Sequence, residues 1–319
     1  MAIDVPNPPP LKEDAVVLAL SGGGMRGLFT AAALARLEEK VSDLAARFTL
    51  IAGTSIGGIL AIGLAVGVKA AVMEKAIRDH GPTIFRRRLP DRIANPKRLF
   101  AAGYRPEPLE AAIRAILGAA ADRTLGEVTV PLLVTAVELN QGMARIFASK
   151  PVAQPGDDLK LRLVDVALAT SAAPTYFPPH SVGGRHYVDG GLIANSPDIV
   201  ALQRARFRQG VPERKIRLLS VGTASYEKRR DQRLARSGGI AWLRRHDLIG
   251  LTLDAQADLS RAQARSFLGN RFYRLDRLPE RPIELDDASE ARMALLARLA
   301  DEAVARFEQD RAAWRTFFG

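Results

Sequence analysis

Eighteen consecutive uncharged residues, "IAGTSIGGILAIGLAVGV" at 51–68, constrain this chain more than any other stretch. The run reaches the lower length limit for a helix that crosses a bilayer. It also holds five glycines and a Thr-Ser pair. A buried strand, a tight turn and a buried helix in succession would use all of them, so a strand is expected at 48–53 and a helix at 56–67. One hydroxyl then stands at the turn, Ser55 in Gly53-Thr54-Ser55-Ile56-Gly57. It has two readings. An ordinary helix N-cap accounts for a serine there. So does a G-x-S-x-G elbow, in which Gly53 and Gly57 clear space for a sharp turn that pushes a nucleophilic Oγ outward. The strand–turn–helix setting favours the elbow.

The rest of the chain repeats the alternation. Apolar strands are expected at 15–20, 130–139, 144–149, around "RHYVDGG", at 215–223 and at 271–276. Helices are expected at 28–39, at 196–207 and along an amphipathic tail from 289 to 318. Near-continuous apolar strands alternating with helices predict an α/β fold, a mainly parallel sheet covered on both faces. The 319 residues suffice for one large domain or two modest ones. The expected division is a flexible lead-in at 1–14, a core at 15–200, and a region at 201–319 that completes the sheet and adds C-terminal helices.

Cysteine is absent, which excludes disulfides and thiolate metal sites and makes a reducing cytoplasm the simplest location. The N-terminus lacks a basic-then-apolar signal pattern. A net charge of +11 points to an anionic partner. Much of that charge gathers in two stretches. Residues 85–105 carry seven bases and one acid, with Phe85, Leu89, Ile93, Leu99 and Phe100 between them; residues 225–246 carry seven bases and two acids. Either is a solvated face or a surface that lies on anionic headgroups.

"SGGGMRG" at 21–27 contains Gly22-x-Gly24-x-x-Gly27 after a strand and before a helix. Dinucleotide-binding folds use this pattern, but they also place an acid at the end of the second strand, and here that strand ends in "GTSIGG". What survives is a helix N-terminus with successive amides, a site for a phosphate or an oxyanion. A serine nucleophile also needs a base. His80, His180, His186 and His246 sit in unremarkable contexts, whereas Asp189, in "YVDGGLIANSP", ends a strand before two glycines. Taken alone, Asp189-Gly190 reads as a common turn.

Jointly, "GGGMRG", "GTSIGG", "DGG" and the small-residue stretch "ALATSAAPTYFPP" at 167–179 resemble the patatin-like phospholipase family, over residues 15–200. The resemblance implies a three-layer α/β/α fold and hydrolysis of lipid acyl esters by a Ser-Asp dyad. Ser55 would be the nucleophile and Asp189 the general base. The amides of Gly22, Gly23 and Gly24 would form the oxyanion hole, with Arg26 steadying the loop. The chain departs from many members in carrying DGG for DGA. A carboxylate desolvated beside a hydroxyl is a workable base. No metal or other cofactor is implied, and no acidic cluster suits calcium. The expected partner is a phospholipid surface, peripheral at the inner membrane, with no DNA or RNA; the oligomeric state stays open. Chain length and "RFYRLD…IELDDAS" further resemble patatin-type antiphage effectors switched on by cyclic oligonucleotides. The rival reading is a non-catalytic phosphate- or nucleotide-binding module built on "SGGGMRG".

Overall fold

The computed structural model describes residues 14–86, 103–153, 159–225 and 248–319. The lead-in at 1–13 and most of the two basic stretches, 87–102 and 226–246, lie outside the described residues.

Strands β1 (Ala15–Leu20), β2 (Leu50–Thr54), β3 (Leu132–Glu138), β4 (Met143–Ala148), β5 (His180–Val182), β6 (Arg185–Asp189), β7 (Ile216–Val221) and β8 (Phe272–Leu275) form one sheet. Its order is β5-β6-β3-β2-β1-β7-β8, with β4 added on β3. The run from β3 through β2, β1 and β7 to β8 is parallel. Strands β4, β5 and β6 attach antiparallel at one end. The expected three-layer α/β/α architecture with a mainly parallel sheet is therefore present.

Side chains of β1 alternate between two cores, as period-2 geometry requires. Val16, Leu18 and Leu20 pack into one; Ala15, Val17 and Ala19 pack into the other. Helices α1 (Gly27–Lys40), α2 (Ile56–Ala65), α3 (Ala70–Ile84), α4 (Pro106–Leu117) and α5 (Leu163–Ser171) cover the first face. The short α6 (Gly191–Ala194) follows β6. Helices α7 (Asp198–Phe207) and α8 (Leu248–Leu268) contribute Ala201, Leu202, Ala264 and Leu268 to the second core. Helix α2 is buried from Gly57 to Ala65, which explains its all-round apolar sequence. Among the described residues no helix is long and apolar enough to cross a membrane.

The amphipathic tail is two helices rather than one, α9 (Glu290–Gln309) and α10 (Arg311–Phe318). Asp310 leaves helical geometry (φ −75°, ψ 82°), and its carboxylate caps the second helix by accepting from Ala313 N–H. The turn folds Trp314 and Phe318 onto Phe307, which stacks on Tyr273 of β8 at 4.3 Å between centroids.

One feature of the sheet brings the ends of β2 and β6 together. Strand β4 occupies one edge of β3, opposite Leu133–Glu138. The other edge is shared. Strand β2 pairs parallel with its first half and ends with Thr54 opposite Thr135; β6 pairs antiparallel with its second half and ends with Asp189 opposite Ala136. The two strands run toward each other along one edge of β3 and stop at adjacent positions.

Candidate active site

Ser55 follows the last residue of β2 and sits at the N-cap of α2 with φ 55° and ψ −127°. A non-glycine residue with positive φ stores strain on the order of 1–3 kcal/mol and persists only where its surroundings hold it. Its side chain makes no capping hydrogen bond, so the ordinary N-cap reading is set aside. The glycines around it provide clearance. A β-carbon on Gly53 would lie 2.2 Å from the Gly57 carbonyl oxygen, and one on Gly57 would lie 2.4 Å from that of Leu20.

The Ser55 hydroxyl donates to Asp189 Oδ2 at 2.6 Å. The other carboxylate oxygen accepts from Gly191 N–H at 2.6 Å. Asp189 is only 6% exposed. Burial pushes its pKa up to about 6, against the opposing pull of the bonds from Ser55 and Gly191. Near neutral pH this carboxylate is ionised, yet far more basic than an exposed aspartate.

Thr170, which the sequence reading did not single out, holds both partners. Its Oγ1 accepts from Ser55 N–H at 2.9 Å and its carbonyl accepts from Gly190 N–H at 3.3 Å. The only signal was its place in "ALATSAAPTYFPP", where nothing local marks one threonine. Thr170→Val keeps the shape but leaves Ser55 N–H unpaired, at a cost of about 1–3 kcal/mol. We expect ester hydrolysis to fall roughly tenfold, since each 1.36 kcal/mol of barrier is a factor of ten. Thr170→Ser should restore it, and equal activity in the wild type and both variants would exclude this role.

The glycine loop lies beside the serine. Gly22 N–H donates to the Asn195 carbonyl at 2.8 Å, so that amide is already engaged. Gly23 and Gly24 line the same cavity as Ser55, and neither amide has a hydrogen-bond partner among the described residues. Of the three amides that the resemblance implies for an oxyanion hole, only those of Gly23 and Gly24 are without a partner among the described residues. Gly24 has φ +56°, and a β-carbon there would lie 2.4 Å from the Leu285 carbonyl oxygen, which accepts from Met25 N–H at 2.7 Å. Thr223 Oγ1 donates to the Gly22 carbonyl at 3.3 Å.

Among the described residues the Arg26 side chain makes no bond that would steady this loop. Its guanidinium makes no hydrogen bond or ion pair among the described residues, its Nε is buried without a partner, and it lines the cavity. Burial lowers its pKa, while Asp254, Asp276 and Glu284 pull the other way. The loop is braced from below by Arg274 of β8. Arg274 Nη1 donates to Ser21, Ser220 and Ser196 at 2.9, 2.8 and 3.3 Å, and Nη2 pairs with Asp276 at 2.8 Å. Ser196 and Ser220 in turn donate to fully buried Asp198. This network ties the residue before Gly22 to the residue after Asn195, a link no local motif announces.

Of the histidines, His180 contacts Asp165 at 3.2 Å and His186 contacts Ser181 at 2.6 Å. Neither these two nor His80 lines the cavity. His246 lies outside the described residues. The cavity itself measures about 490 Å³, the size of a site for one small ligand. Ser55, Asp189, Gly23, Gly24 and Arg26 all line it.

The model of the patatin-like phospholipase family matches residues 18–202, a span holding the glycine loop, Ser55, Thr170 and Asp189. A cGAMP-activated phospholipase of Vibrio cholerae is 34% identical, over 92% of this chain and 92% of that protein. One of Pseudomonas aeruginosa is 34% identical, over 82% of this chain and 77% of its own length. Patatin-17 of Solanum cardiophyllum is 26% identical, over 91% of this chain and 84% of its own. A family match across more than half the chain, together with near full-length relatives, makes this chain a member of the patatin-like phospholipase family.

Proposed function

We propose that this chain is a serine lipid acyl hydrolase of phospholipase A type, releasing fatty acids from membrane phospholipids. The observation that carries the reading is the 2.6 Å hydrogen bond from Ser55 to buried Asp189 in the wall of a largely apolar cavity. Ser55 Oγ attacks the acyl carbonyl carbon while Asp189 takes its proton. The amides of Gly23 and Gly24 stabilise the oxyanion that forms. The intermediate collapses, the ester C–O bond breaks, and the leaving lysolipid alkoxide takes the proton from Asp189. Water then gives a proton to Asp189 and attacks the acyl-enzyme; the fatty acid departs as Ser55 recovers its proton. Asp189, Ser55, alcohol and water handle every proton in this sequence.

The net charge of +11 supports a phospholipid surface with anionic headgroups as the place of action. A cytoplasmic location, peripheral at the inner membrane, belongs to the same proposal. Relatives named cGAMP-activated phospholipases, aligned over 92% and 82% of this chain, favour a cyclic-nucleotide activator. The test uses the full chain on neutral and anionic phospholipid vesicles, with and without a panel of cyclic nucleotides that includes cGAMP, and measures released fatty acid. Release should be greater on anionic vesicles, fall with salt as surface charge is screened, and rise with one nucleotide of the panel. No release under any condition, with no labelling by a serine-reactive phosphonate, would return the chain to the non-catalytic binding module.

A further inference from the structure

One wall of the cavity is apolar throughout. Helices α2, α3 and α4 contribute only apolar lining. On α2 these are Ile56 and Ile59, beginning one residue after Ser55. On α3 they are Ile77, Gly81 and Ile84, and on α4 Leu109, Ala112, Ile113 and Ile116, each set on one helical stripe. The charged lining, Arg26, Asp189, Asp254 and Glu284, comes from other elements. An apolar arm therefore leads away from Ser55 between three helices, while charge gathers elsewhere.

The arm has an end. A β-carbon on Gly63 of α2 would lie 2.5 Å from Met73 Sδ and 3.7 Å from Ile116 Cγ2, so α2, α3 and α4 close on one another there. Met73 is fully buried and Ile116 is 4% exposed. Where α3 ends, Phe85, which lines the cavity, packs edge-on against Tyr104 at 5.4 Å. An apolar arm narrowed at Ile116 among the described residues, in a cavity of about 490 Å³, has room for one hydrocarbon chain beside the reacting ester.

We propose that this arm is an acyl-chain ruler: it takes one chain, and Ile116 with Ala112, one turn before it on α4, sets the length accepted. The inference rests on the acyl-hydrolase reading and adds the substrate's selected part. Each methylene buried in the arm should raise reactivity roughly fourfold until the floor is reached, after which further methylenes add nothing.

The test is the ratio of kcat/KM across a series of soluble p-nitrophenyl esters, from butanoate to hexadecanoate. Ala112→Leu, which fills the arm, should cut the long esters at least tenfold and leave butanoate within threefold. Ile116→Ala, which opens the floor, should move the preferred length two or more carbons longer. Binding of free fatty acids of the same lengths to the Ser55→Ala protein, with and without each arm substitution, gives a readout independent of turnover. Opposite shifts in the two variants support the ruler. Length profiles that keep their shape in both folded variants, in hydrolysis and in binding, overturn it while leaving the hydrolase intact. A wild-type protein that cleaves no ester and takes no serine-directed phosphonate, with or without each cyclic nucleotide of the panel, overturns the hydrolase reading and the ruler with it.

Discussion

Ser55→Ala is expected to lower ester hydrolysis by at least ~10⁴-fold, the scale on which loss of a nucleophile acts when nucleophile and base work as a unit. The fold should survive. Among the described residues the hydroxyl makes one hydrogen bond, to Asp189, and the strained backbone at φ 55° is held by Thr170 and by the packing of α2, not by the serine side chain. The change strips Asp189 of one of the two bonds that lower its pKa, so the carboxyl should become harder still to ionise. The measurement is turnover of a short soluble ester, with circular dichroism and a thermal melt as the folding control. Substantial turnover in a folded Ser55→Ala protein would remove Ser55 from the reaction.

Asp189→Asn should cut turnover by at least ~10³-fold and at the same time stabilise the protein at neutral pH. The two effects share one cause. Burial raises the Asp189 pKa from 3.8 to about 6. A shift of about two units is worth about 3 kcal/mol at 1.36 kcal/mol per unit. For an acid whose folded pKa is raised, this penalty is absent below the unfolded value, grows between about pH 4 and 6, and is complete above that. Asparagine carries no such penalty and can still accept from Gly191 N–H. The variant should therefore gain up to about 3 kcal/mol at pH 7, and the gain should vanish near pH 4. In the wild type, hydrolysis should rise with pH through about 6, as the base loses its proton, and then level off. Paired melts at pH 4 and 7, with a pH–rate profile, test this. A silent variant with no pH-dependent gain would make Asp189 structural; an active one would leave the reaction to another base.

Much of this was legible in the chain. The glycine-rich elbow announced itself because a strand–turn–helix junction needs a specific local chemistry: glycines where backbones approach, apolar residues on both sides, one hydroxyl between. The strands β1, β2, β3 and β7 were visible for a related reason, since burial on both faces demands continuous apolar residues. Local signals of this kind are carried by neighbouring residues. Helices α4, α5 and α8 were not anticipated, nor was the extent of α3. In α3 a glycine and a proline interrupt a half-buried stripe, and in α4 two prolines occupy the first turn, so neither presents an uninterrupted apolar pattern. The break between α9 and α10 was hidden because amphipathic periodicity continues on both sides of Asp310.

What tertiary structure alone decided is which groups meet. Asp189 reaches Ser55 because β2 and β6 approach head-on along one edge of β3, and that register is set by pairings between segments far apart in the chain. The same long-range packing takes the Gly22 amide for the Asn195 carbonyl and leaves those of Gly23 and Gly24 without a partner among the described residues. It puts the Arg26 side chain in the cavity wall and hands the support of the loop to Leu285, Thr223 and Arg274. A motif specifies the conformation of its own few residues; whether an amide is engaged or a carboxylate desolvated depends on what the rest of the chain brings against it.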